Sequence, residues 1–222
     1  MNNIVTVSQL KKMLGNIRAI DNVSFSIGKG EFLAIQGQSG SGKTTLLGLL
    51  AGLEKADEGQ VVIADKELTS MTEDELALFR RYNIGFVFQS FNLIPTLNVV
   101  ENIALPLFPE HMPRKDMLER ARKTAGDVGL NERLDHYPGE LSGGEQQRVA
   151  VARSLINEPK VIFADEPTGN LDSKTGEKII ELLRKLNKEK GQTFVLVTHD
   201  DKTAKKSDRI IKLVDGRIAD DN

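Results

Sequence analysis

Cysteine is absent from the 222-residue chain, which excludes disulfide bonds, zinc ribbons and thiol catalysis. Long apolar runs are also absent, and none approaches the roughly 18 residues expected of a membrane-spanning helix. The first residues lack the apolar centre of a signal peptide. The net charge is only −2, so we expect no nucleic-acid partner that would be bound by general electrostatic attraction. These absences predict a cytoplasmic protein that reaches a membrane only through a partner.

What is present is an ordinary globular composition, with 39% hydrophobic and 28% charged residues. Segments 32–35, 161–164 and 193–198 are apolar in the manner of fully covered strands. A helical pattern over 173–190 places aliphatic residues on one face. The alternation of such strands with helices predicts an α/β fold with a mainly parallel sheet and helices on both sides.

The length suits a single domain, 1–222, with a small lobe attached. Segments 1–94 and 158–222 are predicted to form the α/β core, which includes an N-terminal antiparallel β part. The interval 95–157 carries mostly helical patterns punctuated by prolines. It is therefore predicted to be a helical lobe inserted into the core.

Residues 37–44 match the pattern G-x-x-x-x-G-K-[ST] in full, between a predicted strand and a predicted helix. Glycines let successive N–H groups converge on one anion, Lys43 adds a positive charge and Thr44 offers a hydroxyl to Mg²⁺. A glycine–serine turn before a helix is the structural alternative, and kinases, GTPases and motors share the motif. The segment thus predicts nucleoside triphosphate binding without specifying the reaction. The predicted site comprises Gly37, Ser39, Gly40, Ser41, Gly42, Lys43, Thr44 and Thr45.

Two carboxylates, Asp165 and Glu166, follow the apolar segment 161–164. At the carboxyl end of a parallel strand they would lie beside the phosphate loop. Asp165 could then hold Mg²⁺, directly or through water, while Glu166 polarises the attacking water. Taken alone, the pair could also be an acidic cap on the loop at Pro167.

The segment 141–148, Leu-Ser-Gly-Gly-Glu-Gln-Gln-Arg, predicts a helix that begins with a capping box between Ser142 and Glu145. Gly143 and Gly144 lie just inside this start, although glycine costs a helix about 1 kcal/mol per residue. Such a residue choice indicates that something approaches the backbone closely. A helix N-terminus flanked by Ser and Gly is a second candidate anion site.

This segment resembles the signature motif of ABC ATPases, a family of P-loop NTPases. Gln89 resembles the Q-loop glutamine of that family, residues 169–172 resemble the D-loop, and His199 resembles the switch histidine. The resemblance extends from about residue 5 to residue 218. A histidine after a strand is commonly an ordinary polar loop residue, but its position after segment 193–198 favours the functional interpretation.

The resemblance implies ATP and Mg²⁺ as cofactors and a head-to-tail homodimer in the ATP-bound state. Each ATP would lie between one copy's phosphate loop and the other copy's Ser142, Gly143 and Gly144. Glu166 would be the catalytic base, His199 would contact the γ-phosphate, and Gln89 would sense Mg²⁺ and report to a membrane partner. The implied Mg²⁺ ligands are Thr44, Gln89 and Asp165.

Segments 79–89, 91–95 and 101–102 are similar to the lipoprotein-release and macrolide-export group (LolD- and MacB-like), which also includes ATPases of antimicrobial-peptide permeases. The resemblance implies a permease partner and a position on the inner face of the plasma membrane. An alternative is a division-type regulator that uses the same membrane geometry without transport. ABC proteins of the DNA-repair and chromosome types carry a long insertion between the phosphate loop and the signature motif. The short interval between Lys43 and Glu140 disfavours these types. Translation-type relatives carry two ATPase cassettes per chain, whereas this chain has one.

One residue departs from the family pattern. The family usually has an aromatic residue near the N-terminus that stacks on adenine, and aligning Gly15 and Asn16 to the family places Leu14 at that position. Leu14 is therefore the predicted contact with the base, without an aromatic face.

Overall fold

The computed structural model describes residues 3–222, which form two sheets and the helices that cover them. The strands are β1 Asn3–Leu14, β2 Ile17–Gly28, β3 Phe32–Gln36, β4 Glu58–Ile63, β5 Lys66–Glu67, β6 Ile84–Val87, β7 Val161–Asp165, β8 Thr193–Thr198, β9 Arg209–Val214 and β10 Arg217–Asp221. The α-helices are α1 Lys43–Leu50, α2 Glu73–Asn83, α3 Val99–Ala104, α4 Arg114–Asp127, α5 Gly143–Leu155, α6 Ser173–Lys190 and α7 Asp201–Ala204. No helix among these residues is long and apolar enough to cross a bilayer.

The larger sheet has six strands in the order β10-β9-β3-β8-β7-β6, and every neighbouring pair from β9 to β6 is parallel. Only β10, at one edge, is antiparallel to its neighbour. The prediction of a mainly parallel sheet is therefore confirmed. β3, β7 and β8 are buried on both faces, as continuous apolar strands in such a sheet must be.

The smaller sheet is antiparallel, in the order β2-β1-β4-β5. The alternation of apolar and polar residues over 23–27 predicts only a short strand here, but β1 and β2 each run for 12 residues. The difference has a local cause, because Gln9 (φ 49°) and Asn22 (φ 55°) adopt left-handed conformations and the register shifts between Val7 and Leu10. Such irregularities interrupt the alternation of apolar and polar residues by which a long strand is recognised.

Two hydrophobic clusters lie on opposite faces of the six-stranded sheet. Along β7, Phe163 belongs to the cluster shared with the antiparallel sheet and α1, whereas Ile162 and Ala164 belong to the cluster shared with α3, α4 and α5. This alternation follows from the period of two in a strand. The helices α3 to α5 thus occupy the interval between β6 and β7, where a helical lobe was predicted; the division of the chain at 95 and 157 stays a prediction.

Helix α6 begins and ends where the sequence pattern indicates. The Asp172 side chain accepts a hydrogen bond from Thr175 N–H (3.0 Å), and Gly191 closes the helix in a left-handed conformation (φ 64°). The predicted apolar face is buried except at Leu182, which is half-buried. The helix therefore packs as a surface helix of an α/β sheet does.

Candidate functional site

The phosphate loop joins β3 to α1 and is enclosed by two distant segments of the chain. A methyl group at Gly37 would lie 2.4 Å from the Leu213 carbonyl oxygen of β9, and one at Gly42 would lie 2.4 Å from the Ala19 carbonyl oxygen of β2. Gly42 also has a φ of 99°, which a side chain would strain. Both glycines are therefore required by the fold, and their role toward a phosphate stays a prediction.

Lys43 and Ser41 are buried within this loop. The Lys43 side chain is folded over it, with Nζ donating to the Gln38 carbonyl oxygen at 2.7 Å. The Ser41 hydroxyl has no hydrogen-bond partner within residues 3–222. The first turn of α1 contains no acidic residue, so its N–H groups and the Lys43 ammonium give the loop a positive field. This field suits a polyphosphate.

Asp165 ends β7 beside the phosphate loop, as predicted. Burial, followed by the neighbouring Glu166 charge, raises the pKa of Asp165, while Lys43 and the Thr44 hydroxyl act in the opposite direction. Its Oδ1 atom is buried without a hydrogen-bond partner in the part of the chain that the structure describes. A buried, unpartnered carboxylate oxygen next to a threonine hydroxyl is a fitting donor set for Mg²⁺, which commonly takes one or two protein ligands and completes its shell with phosphates and water.

Glu166 and His199 meet at the carboxyl ends of β7 and β8. His199 Nδ1 lies 2.9 Å from Glu166 Oε1. Because an ionised carboxylate only accepts hydrogen bonds, Nδ1 carries the proton in this pair and Nε2 is left as an acceptor when the ring is neutral. Glu166 is held in a left-handed conformation (φ 42°) with its N–H bonded to the Val197 carbonyl (3.0 Å). Such backbone strain is typical of functional positions.

Gln89 lies against the loop that resembles the D-loop. The side-chain Nε2 of Gln89 donates to Asn170 Oδ1 (3.2 Å), and the backbone carbonyl oxygen of Gln89 accepts from Asn170 Nδ2 (3.1 Å). A methyl group at Gly169 would lie 2.7 Å from Gln89 Nε2. Within residues 3–222 no hydrogen bond joins Gln89 to Thr44 or Asp165, and its role as a Mg²⁺ ligand stays a prediction.

Two cavities flank the phosphate loop, with volumes of about 960 Å³ and 440 Å³. Glu166 lines both, and so does Asp215 in the turn between β9 and β10. Leu14 lines the smaller cavity together with Lys43 and Thr44. Leu14 is thus near the phosphate loop as expected, while its contact with a base stays a prediction.

Sequence reasoning missed Ile17, which lines the same cavity and is 72% exposed. It pairs with Leu14 across the tip of the β1–β2 hairpin, so the two aliphatic side chains stand together at the cavity mouth. The turn signal at Gly15 and Asn16 could have revealed it, because a two-residue turn places its flanking residues opposite each other. Sequence reasoning also missed Asp215 as a site residue. It lies far along the chain from the phosphate loop, so no local sequence pattern links the two.

The predicted capping box at the start of α5 is present. Ser142 donates to Glu145 Oε2 through its hydroxyl (2.7 Å) and its N–H (2.9 Å), and these bonds, with Arg133, lower the pKa of Glu145 to about 2. The helix start therefore carries an ionised carboxylate at neutral pH. The N–H groups of Gly143 and Gly144, in the first turn, have no acceptor within the helix.

The two glycines of α5 have close neighbours in the same chain. A methyl group at Gly144 would lie 2.5 Å from Thr175 Cγ2, and one at Gly143 would lie 3.1 Å from Leu171 Cδ2. Packing against these residues is thus one reason for glycine here, apart from any ligand. The two cavities beside the phosphate loop are not lined by Ser142, Gly143 or Gly144, so within residues 3–222 the two predicted half-sites do not combine.

Comparison with known proteins agrees with this geometry. A family model described as "ABC transporter" matches residues 20–169. The chain is 44% identical over 218 residues to the lipoprotein-releasing system ATP-binding protein LolD of Cytophaga hutchinsonii, covering 98% of this chain and 100% of that protein. It is 45% identical over 208 residues to the macrolide export ATP-binding/permease protein MacB of Rhodopirellula baltica, covering 93% of this chain but 30% of that protein.

A solved structure of the ATP-binding cassette MJ0796 of Methanocaldococcus jannaschii, a dimer in a post-hydrolysis state bound to ADP and Pi, is similar with a TM-score of 0.88. It is 45% identical, and the match covers 98% of this chain and 97% of that one. The predicted resemblance to the lipoprotein-release and macrolide-export group is confirmed. Because the family model spans more than half of the sequence and these relatives match nearly all of it, the chain belongs to the ABC transporter family, as an ATP-binding domain.

Proposed function

We propose that this chain binds MgATP, forms a homodimer around it, hydrolyses it to ADP and phosphate, and thereby drives a membrane permease. This proposal is carried by the convergence on one loop of Lys43, Asp165 and the pair of Glu166 and His199. Within residues 3–222, Oδ1 of Asp165 is buried without a hydrogen-bond partner. Phosphoryl transfer to water requires a positive loop for the phosphates, a carboxylate that can bind a cation and a carboxylate that can accept a proton. Lys43 contributes to the first, and Asp165 and Glu166 supply the other two.

Each residue has a separate task. Lys43 and the loop N–H groups bind and orient the phosphates, and Thr44 and Asp165 would hold Mg²⁺, with Gln89 as the third predicted ligand. Mg²⁺, when bound, offsets negative charge on the phosphates. Glu166 accepts a proton from the water that attacks the γ-phosphorus, and the bond from that phosphorus to the bridging oxygen of ADP breaks.

His199 assists through its position beside Glu166. With Nδ1 donating to Glu166 Oε1 at 2.9 Å, the ring keeps the carboxylate oriented. Phosphate oxygens only accept hydrogen bonds, so its other nitrogen would contact the γ-phosphate as a donor when the ring carries both protons. The ring is 63% exposed in the single chain. This exposure is consistent with a site that a second copy covers.

The proposal of a dimer rests on what the single chain lacks. Within residues 3–222, Ser142 and its helix start do not line the cavities at the phosphate loop, so a second copy would supply them. The dimeric state described for the similar MJ0796 cassette supports this arrangement. The γ-phosphate would join the halves through charge-assisted hydrogen bonds.

The partner and the cargo follow from the relatives. LolD is named as the ATP-binding protein of a lipoprotein-releasing system, and MacB combines ATP-binding and permease parts in one protein for macrolide export. We propose that this chain lies on the inner face of the plasma membrane and works with a separate permease. The pair would export a lipoprotein, a macrolide or an antimicrobial peptide.

Phosphate release by the purified full chain tests the activity. Because two copies complete each site, we expect the MgATP turnover per chain to rise with chain concentration and then level off. Malachite-green detection over a hundredfold range of protein concentration would measure this. No phosphate release at any concentration would contradict the proposed activity, and a turnover per chain independent of concentration would contradict the shared site.

Replacing Leu14 by tyrosine tests the base contact. An aromatic stack contributes about 0.5–1.5 kcal/mol beyond area burial, or roughly 2- to 13-fold in affinity. We expect Leu14→Tyr to tighten ATP binding by several-fold, and wild type to bind GTP almost as well as ATP because most of the affinity comes from the triphosphate. The matched control is Leu53→Tyr, at a leucine that is 52% exposed. Unchanged ATP affinity in Leu14→Tyr would remove residue 14 from the site.

A further inference from the structure

The loop that follows Gln89 has a strained backbone. Phe91 (φ 57°) and Asn92 (φ 51°) are consecutive non-glycine residues in the left-handed region. Asparagine tolerates this conformation better than most residues, but an aromatic residue rarely adopts it. Two such residues in succession persist only where neighbouring groups hold them.

Inside the loop, Asn92 N–H donates to the Ser90 carbonyl oxygen at 2.5 Å. From outside the loop, the residues are held by Arg153, on the signature-bearing helix α5. Its Nη2 donates to the Phe91 carbonyl oxygen at 2.7 Å, and its Nη1 donates to the Asn92 carbonyl oxygen at 2.5 Å. Burial lowers the pKa of Arg153. Within residues 3–222 the guanidinium of Arg153 forms no salt bridge, and its hydrogen-bond acceptors are the Phe91 and Asn92 carbonyl oxygens.

Arg153 is half-buried, and a partly desolvated charge that loses its hydrogen-bond partners is destabilised. The loop and the guanidinium therefore depend on each other. The loop needs the guanidinium to stay in its left-handed conformation, and the guanidinium needs the two carbonyls that this conformation presents. A change at either side should therefore move the other.

A second contact joins α5 to the other side of Gln89. Gln147 is fully buried, and its Nε2 donates to the Pro167 carbonyl (2.6 Å) and, more weakly, to the Phe88 carbonyl (3.4 Å). Helix α5 therefore contacts the backbone on both sides of Gln89, at Phe88 and at residues 91 and 92. It also contacts Pro167, which follows Glu166. Gln89 is held between two attachments to α5.

We propose that Arg153 is a positioning residue for ATP hydrolysis: it fixes residues 91 and 92 in their left-handed conformation and so sets the position of Gln89 relative to α5. This inference rests on the proposed function, because Gln89 has a task only if the chain hydrolyses MgATP. It assigns Arg153 a role different from that of packing α5 into the lobe, and the two roles have different consequences.

A double-mutant cycle separates the two roles. We expect Arg153→Gln to lower kcat about 10-fold while KM for MgATP changes less than about 2-fold, the scale of losing hydrogen bonds to a charged group. In a Gln89→Ala background the same change should lower kcat by less than about 2-fold, because the residue it positions is already absent. The control is Arg122→Gln, at an exposed arginine of α4, which should match wild type.

An equal loss of kcat in both backgrounds would overturn the proposal, and so would an unchanged kcat in a folded Arg153→Gln chain. If Arg153→Gln does not fold, two variants at the exposed Asn92 give the answer. Asn92→Gly accepts the left-handed conformation and should keep kcat within about 2-fold, whereas the β-branched Asn92→Val should lower it about 10-fold. Equal rates for the two would contradict the inference. A wild-type chain without phosphate release would instead contradict the proposed function itself.

Discussion

Glu166→Gln is expected to bind MgATP as tightly as wild type and to release phosphate at least about 100-fold more slowly, the usual scale for losing a general base. Glutamine has the shape of glutamate, so the left-handed backbone at this position and the phosphate contacts from Lys43 should be retained. The amide, however, cannot take a proton from the attacking water. Fluorescent-nucleotide titration and single-turnover phosphate release would measure the two effects separately.

The matched control is Glu181→Gln, at an exposed glutamate of α6, which should hydrolyse ATP at the wild-type rate. Turnover by Glu166→Gln close to that of the control would remove Glu166 from the mechanism. Weaker binding together with slower turnover would indicate that the residue orients the nucleotide instead.

Lys43→Ala is expected to lose most of its affinity for MgATP. The Lys43 ammonium is buried over the phosphate loop, and losing a hydrogen bond to a charged group can weaken binding by up to about 100-fold. Isothermal titration calorimetry with MgATP would measure the change. Circular dichroism should show an intact fold, because backbone bonds hold the loop: Gly216 N–H donates to the Ser41 carbonyl (3.0 Å) and Ser41 N–H to the Gln38 carbonyl (3.2 Å).

For this prediction Lys66→Ala is the matched control, since Lys66 is exposed on β5. An affinity that falls no further in Lys43→Ala than in this control would mean that the loop N–H groups alone bind the phosphates.

The bounds of an element could be predicted from the sequence where its hydrophobic periodicity and its capping residues agree. Helix α6 combines a period of 3.6 with Asp172 at its start and Gly191 after its end, so its bounds could be predicted. The phosphate loop was equally accessible, because its glycines, lysine and threonine are contiguous. Strands β1 and β2 were underestimated because irregular positions such as Gln9 and Asn22 break their alternation.

The parts of the site that sequence reasoning missed depend on tertiary contacts. Asp215 reaches the phosphate loop only because β9 pairs with β3, and the acceptors of Arg153 lie about sixty residues earlier in the chain. Neither relation has a local signature. The same holds for Gly144, whose close neighbour Thr175 explains a residue choice that the sequence alone attributed to an approaching ligand.

We propose that ATP is bound between the phosphate loop of one copy and the signature helix of another. The molar mass of the Glu166→Gln chain, measured by light scattering after gel filtration, tests it most directly because this variant should retain unhydrolysed ATP. We predict the mass of one chain without nucleotide or with ADP alone, and the mass of two chains with MgATP. A single-chain mass under all three conditions, or an equally stable dimer with ADP and with ATP, would contradict the claim.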